Sequence, residues 1–443
     1  MGFIFKNRHI SSFQLISFGF LSVIFAGCLL LMLPWASASG QSASFSDALF
    51  TSVSAACVTG LVVHDTFSYW SFFGQAVILT LIQIGGMGIV TIAVMISRVS
   101  GKKIGLMQRS TMQTAIAAPQ VGGIVRLTGF VFKTTLIIEL IGSLILLPVF
   151  CRDQGIELGL WQSFFHSISA FCNAGFDLMG FRQPFSSLTS YSVQVTVNLT
   201  IAALILIGGL GFLTWDDIKE HKLRLRKYRA QSKMILATTA VLVILPFFYF
   251  WFCEYGEMGG KERFFASLFQ AVTPRTAGFN TTDLTELSDT GKVVMIILML
   301  IGGSPGSTAG GMKTTTIAVL VLSSAAVFSR REYAHCFGRR ISYDVIRQAA
   351  AVFLMYIVLF LGGGMIRSKV GNIPLLTCLF ETASAIGTVG LSLGITPALG
   401  AVSKTILMIL MFFGRVGGLT LIFAAVSRAK NSSRLPEEKI TVG

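Results

Sequence analysis

Four stretches of the sequence share one pattern and decide its fold: LFTSVSAACVTGLV (49–62), FFHSISAFCNAGFD (164–177), LFQAVTPRTAGFN (268–280) and LFETASAIGTVGLS (379–392). Each begins with apolar residues, continues through Ser-Ala or Thr-Pro, and ends in a turn of small residues. The turns close on Gly60, Gly175, Gly278 and Gly390, with separations of 115, 103 and 112 residues. The third stretch is one residue shorter than the others. A fourfold internal repeat therefore organises the chain.

The segments around these stretches are apolar enough to lie in a membrane. Only 12% of the 443 residues are charged, and the mean hydropathy is +0.74. A membrane span needs about 20 apolar residues, and eight candidates occur near 11–35, 70–97, 127–150, 193–215, 234–253, 292–328, 345–366 and 402–427. We interpret the sixth as interrupted. The first is too long for the apolar core of a signal peptide, so we expect it to remain as a span.

The apolar segment before each repeat glycine is too short to cross a bilayer. It covers about ten residues, half of the length that a span requires, and the turn after it would expose backbone groups that lipid cannot satisfy. Such a backbone survives at membrane depth only around a wet cavity. We therefore predict an all-α integral membrane protein with four repeats of span, pore half-helix, filter loop and span around a pseudo-fourfold pore. This architecture has eight transmembrane helices and four re-entrant loops, and the repeats are 1–100, 101–230, 231–335 with a broken gating helix, and 336–443 with a C-terminal tail.

The four turns are suited to bind a dehydrated potassium ion through backbone carbonyls. Rings of carbonyls replace the hydration shell without a fixed charge in the path, and glycine permits the dihedral angles that turn carbonyls inward. Any one of these glycines alone would indicate close helix packing, but four at corresponding positions favour a selectivity filter. We call these turns the filter loops and predict K⁺ sites there and at no other place: Val58, Thr59, Gly60; Asn173, Ala174, Gly175; Thr276, Ala277, Gly278; Thr388, Val389, Gly390.

The net charge of +15 follows from membrane topology rather than from nucleic-acid binding. With a cytoplasmic N-terminus, 24 of the 35 Lys and Arg residues fall in the loops that would be cytoplasmic, as the positive-inside rule requires. We therefore predict that both termini are cytoplasmic. The basic loops would face anionic lipid or an acidic partner surface.

The sixth span contains a segment that no continuous helix accommodates. Residues 302–311 hold five glycines and one proline, and both residue types destabilise a helix interior. We interpret the segment as a gating loop that lines a cavity beneath the filter, with a kinked packing helix as the alternative. The predicted gate residues are Gly302, Gly303, Gly306, Gly310, Gly311, Lys313 and Arg415.

The two cations of the predicted gate each allow two interpretations. Arg415 lies within the last span, where an unpaired charge is costly. It either forms a positive barrier beneath the filter and hydrogen-bonds the loop carbonyls, or it forms a structural pair with Glu139 or an interface carbonyl. Lys313 follows the glycine-rich loop, and its ammonium group either holds exposed carbonyls or snorkels to the cytoplasmic surface.

Other charged residues lie close to the predicted pore or its ends. Arg275 precedes the third filter loop and either supports it from behind, paired with Glu381, or points outward. Asp177 and Asp283 follow two filter loops and either concentrate cations at the outer mouth or are solvated loop acids. The pair Asp216–Asp217 is predicted at the cytoplasmic surface, in contact with a regulatory partner or with solvent alone.

The sequence carries no constellation that indicates catalysis. Its five histidines and seven cysteines lack ligand spacing, so we predict free thiols, no catalytic residue and no cofactor in this chain. The glycine spacing at 306–311 resembles a P-loop, but Met312 stands where that motif needs lysine. The remaining rival is a secondary transporter that couples K⁺ to Na⁺ or H⁺, because broken helices also form substrate sites.

The filter motifs VTGL, NAGF, TPRTAGF and GTVGL, together with GGSPGSTAGGMKTTT (302–316), closely resemble the Trk/Ktr/HKT superfamily of potassium transporters, in particular its KtrB-type membrane subunits. The resemblance covers residues 10 to 443. It implies a K⁺-selective, channel-like pore in each protomer of a homodimer in the bacterial cytoplasmic membrane. It also implies a cytosolic ring of KtrA-type subunits that bind the regulatory nucleotide, and it leaves open whether Na⁺ activates transport. Family members with serine at the position of Gly60 tend to favour sodium, so the glycine here favours potassium.

Overall fold

The computed structural model describes residues 11–100, 104–116, 120 and 122–418, and its regular structure is almost entirely helical. Within those residues the one sheet is a hairpin in which β1 (His335–Cys336) pairs antiparallel with β2 (Arg339–Arg340). The predicted helical class is confirmed. The helices are α1 (Ser12–Leu31), α2 (Phe45–Ala56), α3 (Thr66–Tyr69), α4 (Phe72–Met87), α5 (Ile89–Val99), α6 (Leu106–Ile116), α7 (Ile124–Gln154), α8 (Ile156–Phe171), α9 (Val195–Gly209), α10 (Phe212–His221), α11 (Ala230–Tyr249), α12 (Gly260–Val272), α13 (Asp289–Leu300), α14 (Thr314–Phe328), α15 (Tyr343–Gly371), α16 (Leu375–Gly387) and α17 (Ala401–Val416).

Four of the described helices are long and apolar enough to cross a membrane alone. They are α1, α7, α15, and α11 together with a π-helical turn that extends it to Glu254. Their places agree with the first, third, seventh and fifth predicted spans. The middle of α7 exposes a continuous apolar face that includes Leu136, Leu140 and Leu144. Such a face, unusual on a soluble protein, fits contact with lipid.

Two spans that the sequence suggested as continuous are sharply bent. The predicted span 70–97 breaks at Gly88, where α4 and α5 meet at 96°, and the predicted span 193–215 breaks at Gly211, where α9 and α10 meet at 98°. Counted as one span each, these bent pairs raise the number of span candidates in the described chain to six. Both glycines have positive φ, +83° and +89°, a conformation that side chains with a Cβ rarely adopt.

The remaining two predicted spans are also interrupted. As predicted, the span 292–328 divides into α13 and α14, separated by residues 301–313, which we call the gate loop. In the last span α17 ends at Val416, before Gly417 with φ +88°. The interruption predicted for the sixth span is therefore present, and the second, fourth and last spans have breaks that the sequence analysis did not predict. Predicted residues 419–427 of the last span lie outside the described residues, as do the basic N-terminus and the basic segment 428–439.

A short glycine motif marks each of the four breaks. The motifs are GGMG (85–88), GGLG (208–211), GGSPG (302–306) and GRVG (414–417). A Cβ placed on Gly85, Gly208 or Gly414 would lie within 3.0 Å of the last carbonyls of α2, α8 or α16, respectively. The first glycine of these motifs thus lets a span approach the end of a short helix as closely as the backbones permit.

The four short helices that precede the filter loops are α2, α8, α12 and α16, which we call the pore helices. They contain 12 to 16 residues, fewer than a span requires. The phenylalanine at the second position of each repeat stretch lies on these helices. All four side chains are at most 1% exposed to solvent: Phe50, Phe165, Phe269 and Phe380. These side chains fix the pore helices in the protein core, because each buried aromatic ring contributes a large apolar surface.

Candidate ion pathway

The four filter loops meet in a closed ring. A Cβ on Gly60 would lie within 3.0 Å of the Ala174 carbonyl of the second loop. The same relation joins Gly175 to the carbonyl of Ala277, Gly278 to that of Val389, and Gly390 to that of Thr59. Each loop is therefore the neighbour of the next, and the fourth returns to the first. The ring leaves no room for a side chain at any of its glycines.

The ring has one backbone conformation in all four loops. The first residue of each filter triad has positive φ, at Val58 (+56°), Asn173 (+59°), Thr276 (+63°) and Thr388 (+51°). The glycine two positions later is also positive, between +69° and +93°. Left-handed backbone is uncommon for residues with a Cβ and rare for branched ones, so the surrounding structure must hold it in place.

A serine or threonine near the end of each pore helix holds its filter loop. The hydroxyls of Ser54 and Ser384 accept hydrogen bonds from the amides of Gly60 (3.1 Å) and Gly390 (3.0 Å). In the other two repeats Ser169 and Thr273 donate to the carbonyl that follows the glycine. The carbonyls of the same four residues accept the amide of the central filter residue at 2.8 to 3.0 Å. The Ser-Ala and Thr-Pro dipeptides of the repeat are thus supports, a role that the sequence analysis missed although the spacing marked it.

The predicted pair of Arg275 and Glu381 does not form. Arg275 is buried behind the third filter loop, and its Nη2 lies 3.5 Å from the Thr239 hydroxyl of α11. Glu381 instead accepts hydrogen bonds from the hydroxyls of Ser392 (2.5 Å) and Thr396 (2.6 Å). The prediction is wrong because the two side chains leave the ring in different directions. Arg275 turns outward to a flanking helix, and Glu381 supports the segment after the fourth filter loop.

A wide cavity of about 710 Å³ opens on one side of the ring, and we call it the outer cavity. All four filter glycines line it, as do the acidic residues Asp65, Asp177, Glu262, Asp283 and Glu286. Burial is the main cause that raises the pKa of the Asp177 carboxyl to about 6, and the nearby Asp65 acts in the same direction. The negative charge at this mouth is therefore greatest above that pH. Asp177 and Asp283 thus line the same cavity as the four filter glycines.

The gate loop lies against the other side of the ring and closes on itself. The amide of Gly302 donates to the Met312 carbonyl at 2.8 Å, and that of Gly303 donates to the Gly310 carbonyl at 3.3 Å. A Cβ on Gly310 would collide with the side chain of Thr388 in the fourth filter loop. The gate loop therefore packs directly against the fourth filter loop.

Backbone hydrogen bonds join the gate loop to the breaks in neighbouring spans. Its Ser304 amide donates to Gly209 (3.0 Å), and its Gly306 carbonyl accepts from Phe212 (2.6 Å), on either side of the bend between α9 and α10. Its Gly311 amide donates to Gly414 near the end of α17 (3.1 Å). Because backbone groups make these bonds, the loop can hold its place with small residues alone.

Arg415 bridges the gate loop and the first bent span. Its Nη1 donates to the Thr308 carbonyl in the loop, and its Nη2 donates to the carbonyls of Gly85 and, at 3.0 Å, Gly86. The alternative pairing with Glu139 is wrong: that carboxylate accepts from the Gln83 side chain at 3.0 Å, and the described ion pairs include none for Arg415. Arg415 takes the place that glycine has in the other break motifs.

Lys313 is the last residue of the gate loop, directly before α14, and its side chain turns back to the loop. Its Nζ donates to the carbonyls of Ala309 (2.9 Å) and Gly310 (3.5 Å), which agrees with the first of its two interpretations. Lys313 and Arg415 both line a second cavity of about 370 Å³ beneath the loop, which we call the inner cavity. Both cationic side chains therefore face this inner cavity.

The acidic pair after the fourth span has a partner within the chain. Asp216 and Asp217 lie on α10, and both carboxylates contact the Arg229 guanidinium, at 3.1 and 3.5 Å. Asp217 is buried and also accepts the Arg229 amide at 3.0 Å. Neither solvent nor a second protein is needed to explain these two acids.

Another residue that the sequence analysis did not select is Arg367. It is fully buried on α15, and its Nη1 donates to the Cys378 carbonyl and the Thr382 hydroxyl of the fourth pore helix, both at 3.2 Å. A charged residue next to an apolar segment could have drawn attention to Arg367. It directly follows the predicted span 345–366, where a charged residue is expected to flank the membrane.

Apolar helices, a ring of four glycine-tipped loops and a loop packed against that ring define a multi-pass membrane protein with a candidate route for small ions. The sequence matches the TrkH family model, described as cation transport protein, over residues 6–247 and 234–434. The chain belongs to this family of cation transport proteins. The resemblance indicated by the filter motifs is confirmed.

Full-length relatives and a solved structure agree with this assignment. The chain is 38% identical to the potassium/sodium uptake protein NtpJ of Enterococcus hirae, and the alignment covers 99% of this chain and 98% of that one. It is also 38% identical to the Ktr system potassium uptake protein B of Bacillus subtilis, with 97% and 96% covered. The crystal structure of the potassium transporter TrkH from Vibrio parahaemolyticus matches with a TM-score of 0.73 and 21% identity, over 96% of this chain and 87% of that one. At that identity the match establishes the fold alone.

Proposed function

We propose that the protein moves K⁺ across the bacterial cytoplasmic membrane through a selective, channel-like pore. The observation that carries the proposal is the closed ring in which each filter glycine faces a carbonyl of the next loop. The ring corresponds to four repeats of span, pore helix, filter loop and span around a pseudo-fourfold axis, with the boundaries predicted from the sequence. Carbonyl oxygens at such a ring replace the hydration shell of the ion.

Potassium is the proposed substrate because the ring is built from backbone and has no fixed charge. The names of the relatives support this choice, since one is a potassium uptake protein and the other a potassium/sodium uptake protein. Within the ring, Gly60 keeps the first loop as narrow as the other three. The acids of the outer cavity supply K⁺ to the filter by raising the local cation concentration.

The gate loop controls this flow by opening and closing the path beneath the filter. Arg415 and Lys313 hold it closed through hydrogen bonds to its carbonyls, and their charges repel a cation that leaves the filter. Displacement of the loop removes the obstruction and both barriers together. The loop bonds to its neighbours mainly through single backbone hydrogen bonds, each of which contributes only about 0.5–1.5 kcal/mol net.

Regulation is proposed to come from partners on the cytoplasmic side. Relatives are named as parts of a Ktr system, which supports a second component. A homodimer of this chain on a KtrA-type ring that binds the nucleotide fits the resemblance of the filter motifs. Both termini and the basic loops would face that ring and the anionic lipid surface.

Ion flux in proteoliposomes tests the proposal. We expect purified protein to carry K⁺ or Rb⁺ down its gradient, and Na⁺ at a much lower rate. Equal K⁺ and Na⁺ flux would contradict selectivity. Strict coupling of K⁺ movement to a Na⁺ or H⁺ gradient would instead identify a secondary transporter.

A further inference from the structure

The side chain of Asn173 connects two filter loops and the gate loop. Its Nδ2 donates to the Arg275 carbonyl, at the start of the third filter loop, at 3.1 Å and to the Ile205 carbonyl of α9 at 3.4 Å. Both neighbours are carbonyls that only accept, which fixes the orientation of the amide. Its Oδ1 therefore faces the Thr308 hydroxyl of the gate loop, 3.0 Å away.

Thr308 is the point of the gate loop that makes the most varied contacts. Its hydroxyl shares one proton between Asn173 Oδ1 and the Phe171 carbonyl, each at 3.0 Å. Its amide donates to Gly208 at 3.3 Å, and its carbonyl accepts from Arg415. One residue thus contacts the filter, a bent span and the arginine that holds the loop.

The other three filter loops have no such contact. Val58 stands at the position of Asn173 in the first loop, and its side chain has no hydrogen-bonding group. The hydroxyls of Thr276 and Thr388 are buried and have no hydrogen-bond partner in the described part of the chain. Among the first residues of the four filter triads, Asn173 in the second repeat is therefore the one whose side chain forms a hydrogen bond with the gate loop.

The junction leaves no space for another group. A Cβ on Gly208 would lie within 3.0 Å of the Phe171 carbonyl, Asn173 Oδ1 and Thr308 Oγ1 at once. Movement of the gate loop would take the Thr308 hydroxyl away from Asn173 Oδ1. The amide would then be free to shift, and its Nδ2 holds the backbone of the third filter loop.

From this geometry we propose that Asn173 is a positioning residue that couples K⁺ selectivity to the state of the gate loop through its hydrogen bond with Thr308. The proposal rests on the proposed ion pathway. With the bond formed, the second and third filter loops keep the spacing that suits K⁺. Without it, these two loops are free to change spacing, so that opening of the gate and discrimination between ions are linked.

Removal of the Thr308 hydroxyl tests the coupling. Thr308→Val keeps the shape of the side chain and removes its donor. We expect resting K⁺ flux in proteoliposomes to rise about three- to tenfold, the change that corresponds to one buried hydrogen bond, and the K⁺/Na⁺ flux ratio to fall by a similar factor. Thr308→Ser, which keeps the hydroxyl, should restore both quantities.

Thr135→Val is the matched control. Thr135 is fully buried on α7, and its hydroxyl has no hydrogen-bond partner in the described part of the chain, so we expect wild-type flux and selectivity. If Thr308→Val does not reconstitute, Thr308→Ala replaces it, with the same expected results. A second readout is thermal unfolding in detergent, where K⁺ should protect the wild type more than Na⁺ does, and Thr308→Ala should reduce this difference.

The possible outcomes separate the coupling from the pathway itself. Higher flux with an unchanged K⁺/Na⁺ ratio in Thr308→Val would overturn the coupling and leave the pathway intact, as would unchanged flux and ratio. A wild-type protein that does not discriminate K⁺ from Na⁺ would overturn the proposed function, and the coupling with it.

Discussion

The first residue of each filter triad has the unfavourable left-handed backbone conformation that gives the filter loop its shape. These residues are Val58, Asn173, Thr276 and Thr388. Each left-handed residue with a Cβ costs on the order of 1–3 kcal/mol. Hydrogen bonds between the filter loops and the pore helices offset that cost. In one of them the Gly60 amide donates to the Ser54 hydroxyl. The geometry of the ring thus depends on supports outside it.

Gly60→Ser should weaken discrimination against Na⁺. The new Cβ would press on the Ala174 carbonyl, so the first two loops must separate and their carbonyls no longer fit K⁺. We expect the K⁺/Na⁺ flux ratio in proteoliposomes to fall about tenfold or more. Gly362→Ser, at a site with open space, should leave the ratio unchanged. An unaltered ratio in Gly60→Ser would refute the view that loop spacing sets selectivity.

The sequence was informative about backbone and much less so about long side chains. Four glycines at regular intervals revealed the filter because the left-handed backbone restricts the residue type. The partner of Arg275 was not predictable, since a long side chain reaches whichever helix lies beside it, and only the packing of α11 decides that. Asn173 was selected for its backbone, although its side-chain amide also joins three elements.

At the scale of elements, the second span of each repeat breaks at a glycine, and among the described residues only the break in the third repeat has a loop inserted. A single glycine costs a helix about 1 kcal/mol, too little for motifs such as GGMG (85–88) or GGLG (208–211) to predict a bend of more than 90°. Residues 302–311, with five glycines and a proline, exceed what a helix tolerates. The length of this glycine-rich stretch and its proline are why one break of four was predicted from the sequence.

Gly211→Ala and Gly88→Ala distinguish a bend that contacts the gate loop from one that does not. Both glycines have positive φ, so each substitution should lower stability by about 1–3 kcal/mol. A Cβ at Gly211 would also lie 2.7 Å from the Pro305 carbonyl of the gate loop, whereas the nearest atom to one at Gly88 is 4.0 Å away. We expect both variants to unfold at lower temperature and only Gly211→Ala to raise resting flux. Equal flux in the two variants would show that the bend does not act on the loop.

Arg415→Ala should raise resting K⁺ flux about tenfold. The substitution removes the donors to the carbonyls of Thr308, Gly85 and Gly86 and one of two positive charges at the inner cavity. Arg347→Ala is the control, because both side chains of the Arg347–Asp344 pair are exposed and surface pairs contribute little. Rb⁺ uptake into proteoliposomes measures both variants. Wild-type uptake in Arg415→Ala would mean that the loop stays closed without the arginine.

At the scale of the whole molecule, the distribution of basic residues predicts its orientation. Leu223→Cys and Asp289→Cys, each introduced into a variant without other cysteines, place single thiols at two strongly exposed positions. With both termini cytoplasmic, a membrane-impermeant maleimide should label Asp289→Cys in intact cells. It should label Leu223→Cys only after the membrane is permeabilised. The reverse pattern would place the basic loops outside the cell.

The inner cavity suggests that the work of opening the gate loop lies in moving water rather than in stretching the bilayer. Its volume of about 370 Å³ equals that of about a dozen water molecules at roughly 30 Å³ each. In the proposed gating, the gate loop moves within this space and displaces water, without a movement of the helices that face the lipid. Stretching the bilayer should then do almost no work on opening. Osmotic stress, which makes the transfer of water out of the cavity more or less costly, should bias the loop directly.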